Sequence, residues 1–264
     1  MVWIYSLPAW IVMPLIVVVF CTVSGAVLHV VRTYFSRNAV IQHNDVAGPI
    51  LATIGTVLAV MLSFMVAGVW QQYDAAAQTA QTEASAISDL HHLADGFPAN
   101  EKARIHREID RYARLVVTDE WPLMRHGRSS ARAHDAAYAV QTTLIAYWPK
   151  DAEQQGLQAR GLDLATVMLD ARRNRIMANR EGIPMVLWAT MLVLGAVTIA
   201  FSFYFRVDSA RAHYIMTVAL AGVIAITFAL IAELDYPFRG DVAVSPGAFN
   251  EVMHVLHPHG GMQD

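Results

Sequence analysis

The stretch "MLSFMVAGVWQQYDAAAQTAQTEASAISDL", residues 61–90, decides how this chain folds. It starts inside an apolar run and ends in a polar, alanine-rich one. Between Trp70 and Leu90 there is no Gly or Pro at which a helix would stop. A hydrophobic helix is therefore expected to leave an apolar medium and continue, unbroken, into water. Tyr73, Ala77, Ala80, Ala84, Ile87 and Ala94 recur at helical spacing, which gives the polar part a narrow stripe of mostly small residues.

Composition places the apolar part in a membrane. Of the 264 residues, 55% are hydrophobic and 16% charged, against about 25% charged in a soluble domain. The formal net charge of −3 leaves no basic balance that would suggest nucleic acid. The single cysteine, Cys21, excludes an intramolecular disulfide and any metal site built on cysteine spacing. The first residues, "MVWIYSLPAWIVMPL", lack the basic start and the cleavage site of a secretory signal, so the first apolar segment is read as retained.

Four segments have the ~20 apolar residues that cross a bilayer. They run from about Trp10 to Val31, Val46 to Trp70, Ile183 to Phe205 and Ala212 to Ala232. Trp10, Trp70, Trp188, Tyr204 and Tyr214 lie at or near their ends, where an interfacial aromatic belt belongs. Gly48, Gly55, Gly68, Gly195 and Gly222 fall inside them, either as close-packing positions or as ordinary background. The fold class expected is all-α: four transmembrane helices with a large helical extramembrane insert between helices 2 and 3. The organisation expected is 1–70 for the first two spans, 71–182 for the insert, 183–233 for the last two, and 234–264 for a turn and amphipathic tail.

Within the insert, "DGFPAN" (95–100) stops the first helix. A second carries Ile105, Ile109, Tyr112 and Val116 on one face and ends or kinks at Pro122. Two more run over about 130–147 and 157–180. The last has only Gly182 and Pro184 between it and the third span, so it too is expected to extend the stalk, with the middle helices packed on it. Near-equal numbers of acidic and basic residues suit a salt-bridged bundle better than an anion-binding surface. The arginines flanking the spans are balanced across the two sides: Arg32, Arg37, Arg206 and Arg211 on one, Arg172, Arg173, Arg175, Arg180 and Arg239 on the other. Charge alone leaves orientation open.

No nucleotide-binding or nucleophile-elbow pattern occurs. His91 and His92 are adjacent on a helix and diverge. His254, His257 and His259 in the tail form the best metal signal and equally read as solvated residues, while His29 and His213 read as interfacial. Counting ~1.5 Å of rise per residue, Glu83 lies at a height that matches Arg172 or Arg175 across an antiparallel stalk. Such a pair is either a structural ion pair or an electrostatic latch facing an ion path. In "LIAELDYPFRG", residues 230–240, Glu233 and Asp235 mark a membrane exit, Pro237 and Gly240 make the turn, and Asp235 is expected to cap a helix or pair with an arginine such as Arg180. Ser245 and Pro246 then read as the cap and first residue of a terminal helix whose apolar face is Phe249, Val252, Met253 and Leu256. In the second span, Leu58, Met61, Phe64 and Met65 are candidates for a hydrophobic constriction that gates by dewetting.

"LSFMVAGVW" (62–70) followed by "QQYD" (71–74) resembles the second membrane helix of bestrophins, with Trp70, Gln72 and Tyr73 matching the Trp-x-Gln-Tyr element. The two elements lie closer together here by about two helical turns, so they align only with a gap. "EASAI" (83–87), "EWP" (120–122), "ARRNRI" (171–176), "IP" (183–184) and "LDYPFRG" (234–240) are similar to the bacterial bestrophin-like group. That resemblance implies a pentameric anion channel of the inner membrane, lined by the second helix and with residues 71–182 in the cytosol. It would place the constriction around Met61, Phe64 and Met65. The segment holds only Phe64 before Trp70 where bestrophins hold several aromatics. Asp235, Asp241 and Glu251 are too scattered for a calcium clasp, so calcium gating is not expected. The implied partners are the lipid bilayer, further copies of the chain and inorganic ions, with no nucleic acid and no cofactor. A membrane-anchored scaffold whose insert binds a partner is the alternative. An enzyme working through Glu233, Asp235 and the tail histidines is a third, from another class.

Overall fold

The computed structural model describes residues 9–34, 44–205 and 209–256. Arg37, Arg206, His257 and His259 lie outside them. Every regular element among the described residues is helical. In order these are α1 (Ala9–Tyr34), α2 (Asn44–Ala94), α3 (Ala99–Leu115), a five-residue π turn (Val116–Glu120), α4 (Trp121–Met124), α5 (Ala131–Ile145), α6 (Ala152–Ala178), α7 (Met185–Ser202), α8 (Ala210–Leu234) and α9 (Gly247–Leu256). The residues fall into two units, 1–71 with 182–235, and 72–181 with 236–264.

The first unit holds the membrane spans. α1, α2, α7 and α8 each have the length and apolarity to cross a bilayer, and the chain is an integral membrane protein. α1 packs along α8 through small residues. Gly25 meets Val218, Gly222 meets Cys21, and the Cys21 thiol points at the Val218 carbonyl 3.6 Å away. Phe20 sets its ring edge-on to Phe228 at 6.0 Å. Arg32 donates to His213 Nδ1 at 3.0 Å, so the neutral imidazole carries its proton on Nε2 and donates to the Ser202 carbonyl at 3.1 Å. α7 joins through Gly195, where an added Cβ would lie 3.1 Å from Phe228 and 3.4 Å from Ile224.

In the second unit, Ala80, Ala84, Ile87 and Leu90 of α2 bury against Ile105, Ile109, Tyr112 and Val116 of α3 and Leu164, Ala165 and Met168 of α6. The stripe of small residues lets neighbouring backbones come close. α5 starts on Ser130, whose hydroxyl accepts the Ala133 N–H, and α6 on Asp151, which accepts from Gln154. Residues after Asp235 return to this unit. Phe238 and Phe249 both set their rings on Trp121, whose indole N–H donates to the Val244 carbonyl at 3.1 Å. Gly127, at φ 71°, leaves room for Arg239, which reaches past it to donate to the Asn179 carbonyl at 2.7 Å.

One expectation changes. α6 does not run on toward the third span but ends at Ala178. Pro184 offers no N–H to a helix and disfavours helical geometry at Ile183, and the Ile183 N–H is taken by Asp235 instead. The expected end or kink at Pro122 lies beside the π turn, which interrupts the regular helix just before Pro122, and the helix stops at Met124. Gly195→Val is expected to lower the thermal midpoint of the detergent-solubilised protein, at a cost of about 1–3 kcal/mol from overpacking. Gly55→Ala, with nothing within 4 Å of the new methyl, is expected to leave that midpoint undiminished.

Candidate functional site

α2 supplies both chemically distinctive features of the chain, one in each unit. In the first unit its buried residues are Leu58, Leu62, Met65 and Val69, spaced four, three and four apart. Opposite them Thr53, Val57, Val60, Phe64, Gly68 and Gln71 are exposed and share one face. Phe64 is 72% exposed and Leu58 4%. The four residues singled out from sequence as a constriction therefore do not share a face. Leu58 and Met65 pack inside the subunit, Met61 is half-buried, and Phe64 alone of the four is exposed. A side chain packed inside its own subunit cannot line a pathway running along the outside of that subunit. The signal that picked Leu58 and Met65 was bulk, and a helix apolar on all sides has no periodicity to separate its faces.

The exposed faces of the spans differ in character. On α1 that face is bulky: Trp10, Ile11, Leu15, Val18, Val19 and Val23. On α2, between Ala52 and Gly68, exposed small and hydroxyl-bearing residues (Thr53, Thr56, Ala59, Ser63 and Ala67) are interspersed with the bulkier Val57, Val60 and Phe64. Gly48, Gly55 and Gly68 face open space.

In the second unit α2 brings Glu83 into the core, fully buried. Arg175 of α6, also fully buried, donates to it twice, from Nε at 2.7 Å and from Nη2 at 2.9 Å. The Tyr112 hydroxyl of α3 donates to the same carboxylate. Arg175 Nη2 also reaches Glu120, in the π turn, at 2.9 Å. Glu120 in turn accepts from Arg172 at 2.6 Å and from the Ser130 N–H at 3.3 Å. Trp121 and Phe249 lie under the Arg175 guanidinium, at 5.0 and 5.7 Å. Two guanidinium groups thus face two carboxylates, and the cluster is neutral.

Burial pushes the Tyr112 phenol well above its ordinary range, and the charge of Glu83 pushes it further. Burial alone would lower the Arg175 guanidinium, but the charge and hydrogen bonds of Glu83 outweigh it and hold the group more firmly protonated than usual. Arg175 therefore keeps its charge across the physiological range. Glu83, Arg175 and Arg172 are brought together, with Arg172 bonded to Glu120. Sequence reasoning missed Glu120 as the bridge between the two arginines and Tyr112 as a donor. Glu83 is enclosed and accepts from three donors, a geometry that suits the structural one of its two readings.

Asp235 stands apart, in the first unit. Its Oδ1 accepts the Ile183 N–H at 2.6 Å and its Oδ2 the Trp188 indole N–H at 3.3 Å, which ties the end of α8 to the start of α7. Arg180 hydrogen-bonds to the Ser129 hydroxyl at 3.4 Å. The first-unit surface also carries a groove of about 640 Å³ between α2 and α8, lined by Leu62, Val66, Trp70, Val223, Thr227 and Leu230. His254 is exposed, and no group of three potential metal ligands occurs among the described residues.

Removing one partner of a buried ion pair strands the other, at about 3–5 kcal/mol. Glu83→Gln and Arg175→Met are each expected to lower the yield and thermal midpoint of the full chain in detergent by that measure. Lys102→Ala, which breaks the exposed pair with Asp95 at 2.9 Å, is expected to cost less than about 1 kcal/mol. Equal effects from the buried and exposed changes would contradict the structural role.

No curated protein matches the sequence. Solved structures do. A single-substitution variant of a bacterial bestrophin homologue from Klebsiella pneumoniae superimposes with a TM-score of 0.69 at 14% identity, over 95% of this chain and 99% of that one. The structure of that homologue phased on zinc gives 0.68 at 15% identity, over 95% and 99%. At such identities the likeness establishes the fold alone. The sequence itself matches the bestrophin-like domain along residues 18–249, and a match over that much of its length means that the chain belongs to the bestrophin-like family.

Proposed function

We propose that the chain is the subunit of a homo-oligomeric ion channel, a pentamer conducting anions, in which α2 lines a central pore. The observation that carries the reading is that α2 exposes small and hydroxyl-bearing residues beside Val57, Val60 and Phe64, whereas the exposed residues of α1 are mostly bulky. Bulky aliphatic side chains suit contact with lipid tails. Small residues suit close approach of helices to one another, and hydroxyls suit a wetted passage. A Cβ added at Gly48, Gly55 or Gly68 would meet nothing within 4 Å beyond its own helix among the described residues, which leaves room for helices from other copies. Four spans are too few to enclose an aqueous pore, so a pore requires assembly around an axis.

On this reading the narrowest point is a ring of Phe64 side chains, with Val60 and Val57 about one and two turns away on the same face. Such a ring closes by expelling water. From Thr53 to Gln71 the exposed face bears no charged residue, so the span offers no charged ring for selectivity. The anion preference and the pentamer are carried by the family alone. So is the placement in a bacterial inner membrane with residues 71–182 in the cytosol. Glu83, Arg172, Arg175 and Asp235 support the architecture that positions α2 and do not contact the ion.

The test is the purified protein in planar bilayers under a chloride gradient. Currents reversing toward the chloride equilibrium potential are expected. Phe64→Ala should raise unitary conductance, whereas Leu58→Ala should leave it unchanged and lower stability by about 2–5 kcal/mol. Absence of current from the intact oligomer, or a larger conductance change from Leu58 than from Phe64, would overturn the proposal.

A further inference from the structure

A second site lies in the extramembrane unit, where the start of α5 faces the last turns of α6. A cavity of about 440 Å³ opens there, lined by Ser129, His134, Tyr138, Arg172, Arg173 and Arg180 among others. No carboxylate belongs to its lining. Arg172, 7% exposed, has been drawn inward by Glu120, and its Nε has no hydrogen-bond partner among the described residues. Arg172 Nη1 donates to His134 Nδ1 at 3.3 Å. The neutral imidazole therefore carries its proton on Nε2, a further donor at the cavity. Among the described residues the Arg180 guanidinium donates to the Ser129 hydroxyl at 3.4 Å and to no carboxylate. Arg173 pairs with Asp170 at 3.3 Å, both of them well exposed, an arrangement that holds weakly.

The remaining lining is apolar: Leu169, Ile176 and Met177, with the Tyr138 ring 4.8 Å from that of His134. The volume lies within the ~300–1,000 Å³ of small-molecule sites and far exceeds what a halide ion fills. Three guanidinium forks suit a tetrahedral oxyanion, which accepts several hydrogen bonds at once.

We infer that this cavity binds a phosphate monoester carried on an apolar or aromatic body, with the phosphate at Arg172, Arg173 and Arg180 and the body against Tyr138 and Met177. The ligand is distinct from any permeating ion, and the site is separate from the span of α2. Arg172 joins the cavity to the buried cluster. It donates to Glu120, and Glu120 accepts from Arg175, so a phosphate drawing on Arg172 competes with a carboxylate that helps hold the core.

The test is calorimetric titration of the full-length protein in detergent with inorganic phosphate and phenyl phosphate, at constant ionic strength set by chloride. A separate arm uses a short-chain phosphatidic acid. Saturable binding of phenyl phosphate, tighter than inorganic phosphate, is expected. Arg173→Gln and Arg180→Gln change exposed side chains. Each should weaken it by about tenfold, the worth of one charge-assisted hydrogen bond, with no shift in the thermal midpoint of the free protein. Tyr138→Ala should weaken phenyl phosphate but leave inorganic phosphate unchanged. Phosphatidic acid competing with phenyl phosphate would support the same site and identify the natural source as lipid. Failure to compete would support a soluble ligand. No saturable binding of any of the three, or undiminished binding in the Arg173→Gln/Arg180→Gln double variant, would overturn the inference.

Discussion

Glu83 and Arg175 are the pair on which the extramembrane half depends. Each is an ion taken wholly out of water, and neither is tolerable there alone. Their mutual bonds, at 2.7 and 2.9 Å, offset a desolvation cost that hydrophobic contact does not. The pair also dictates geometry. A guanidinium bonds a carboxylate through a planar fork, so α2 and α6 must meet at one height and one rotation. Turning α2 by a single residue swings Glu83 through about 100° and strands both charges. The alanines around Glu83 fit this constraint, because small neighbours let two helices come close enough for the fork to reach.

The remaining members extend the pair without adding net charge. Glu120 shares Arg175 with Glu83 and takes Arg172 as well, and the Tyr112 hydroxyl fills a remaining acceptor position on Glu83. The π turn matters here. One extra residue per turn reorients the side chains that follow, and it ends with Glu120 inside and Trp121 beneath the guanidinium. The chain after Asp235 then closes this core with Phe238 and Phe249. A tail that reads as an appendage in sequence is thus part of the packing of the second unit.

Much of this was legible in the residues. The four spans follow from length and apolarity. The unbroken α2 follows from the lack of any breaker after Trp70. The Glu83–Arg175 contact was accessible by counting rise along two antiparallel helices, because in the polar insert a lone acid on an apolar stripe is conspicuous. Glu120 was not accessible in this way, since it lies in a turn whose spacing is neither 3.6 nor a loop. Inside the membrane the sequence was less informative. Leu58, Met65 and Phe64 are all large and apolar, and hydropathy assigns none of them a direction. Only the tertiary packing separates Leu58 and Met65, turned inward, from Phe64, turned outward. The end of α6 is not legible locally, because the group that takes the Ile183 N–H, Asp235, is distant in sequence.

The central claim is that the exposed face of α2 borders the ion pathway. It is tested most directly by placing single cysteines at successive positions from Thr56 to Val69, in a Cys21→Ser background. Each is then treated with a water-borne charged thiol reagent while current is recorded across a bilayer. The account expects block at positions 57, 60, 64 and 68 and none at 58, 62, 65 and 69. Block at the second set, or block without helical periodicity, would contradict it.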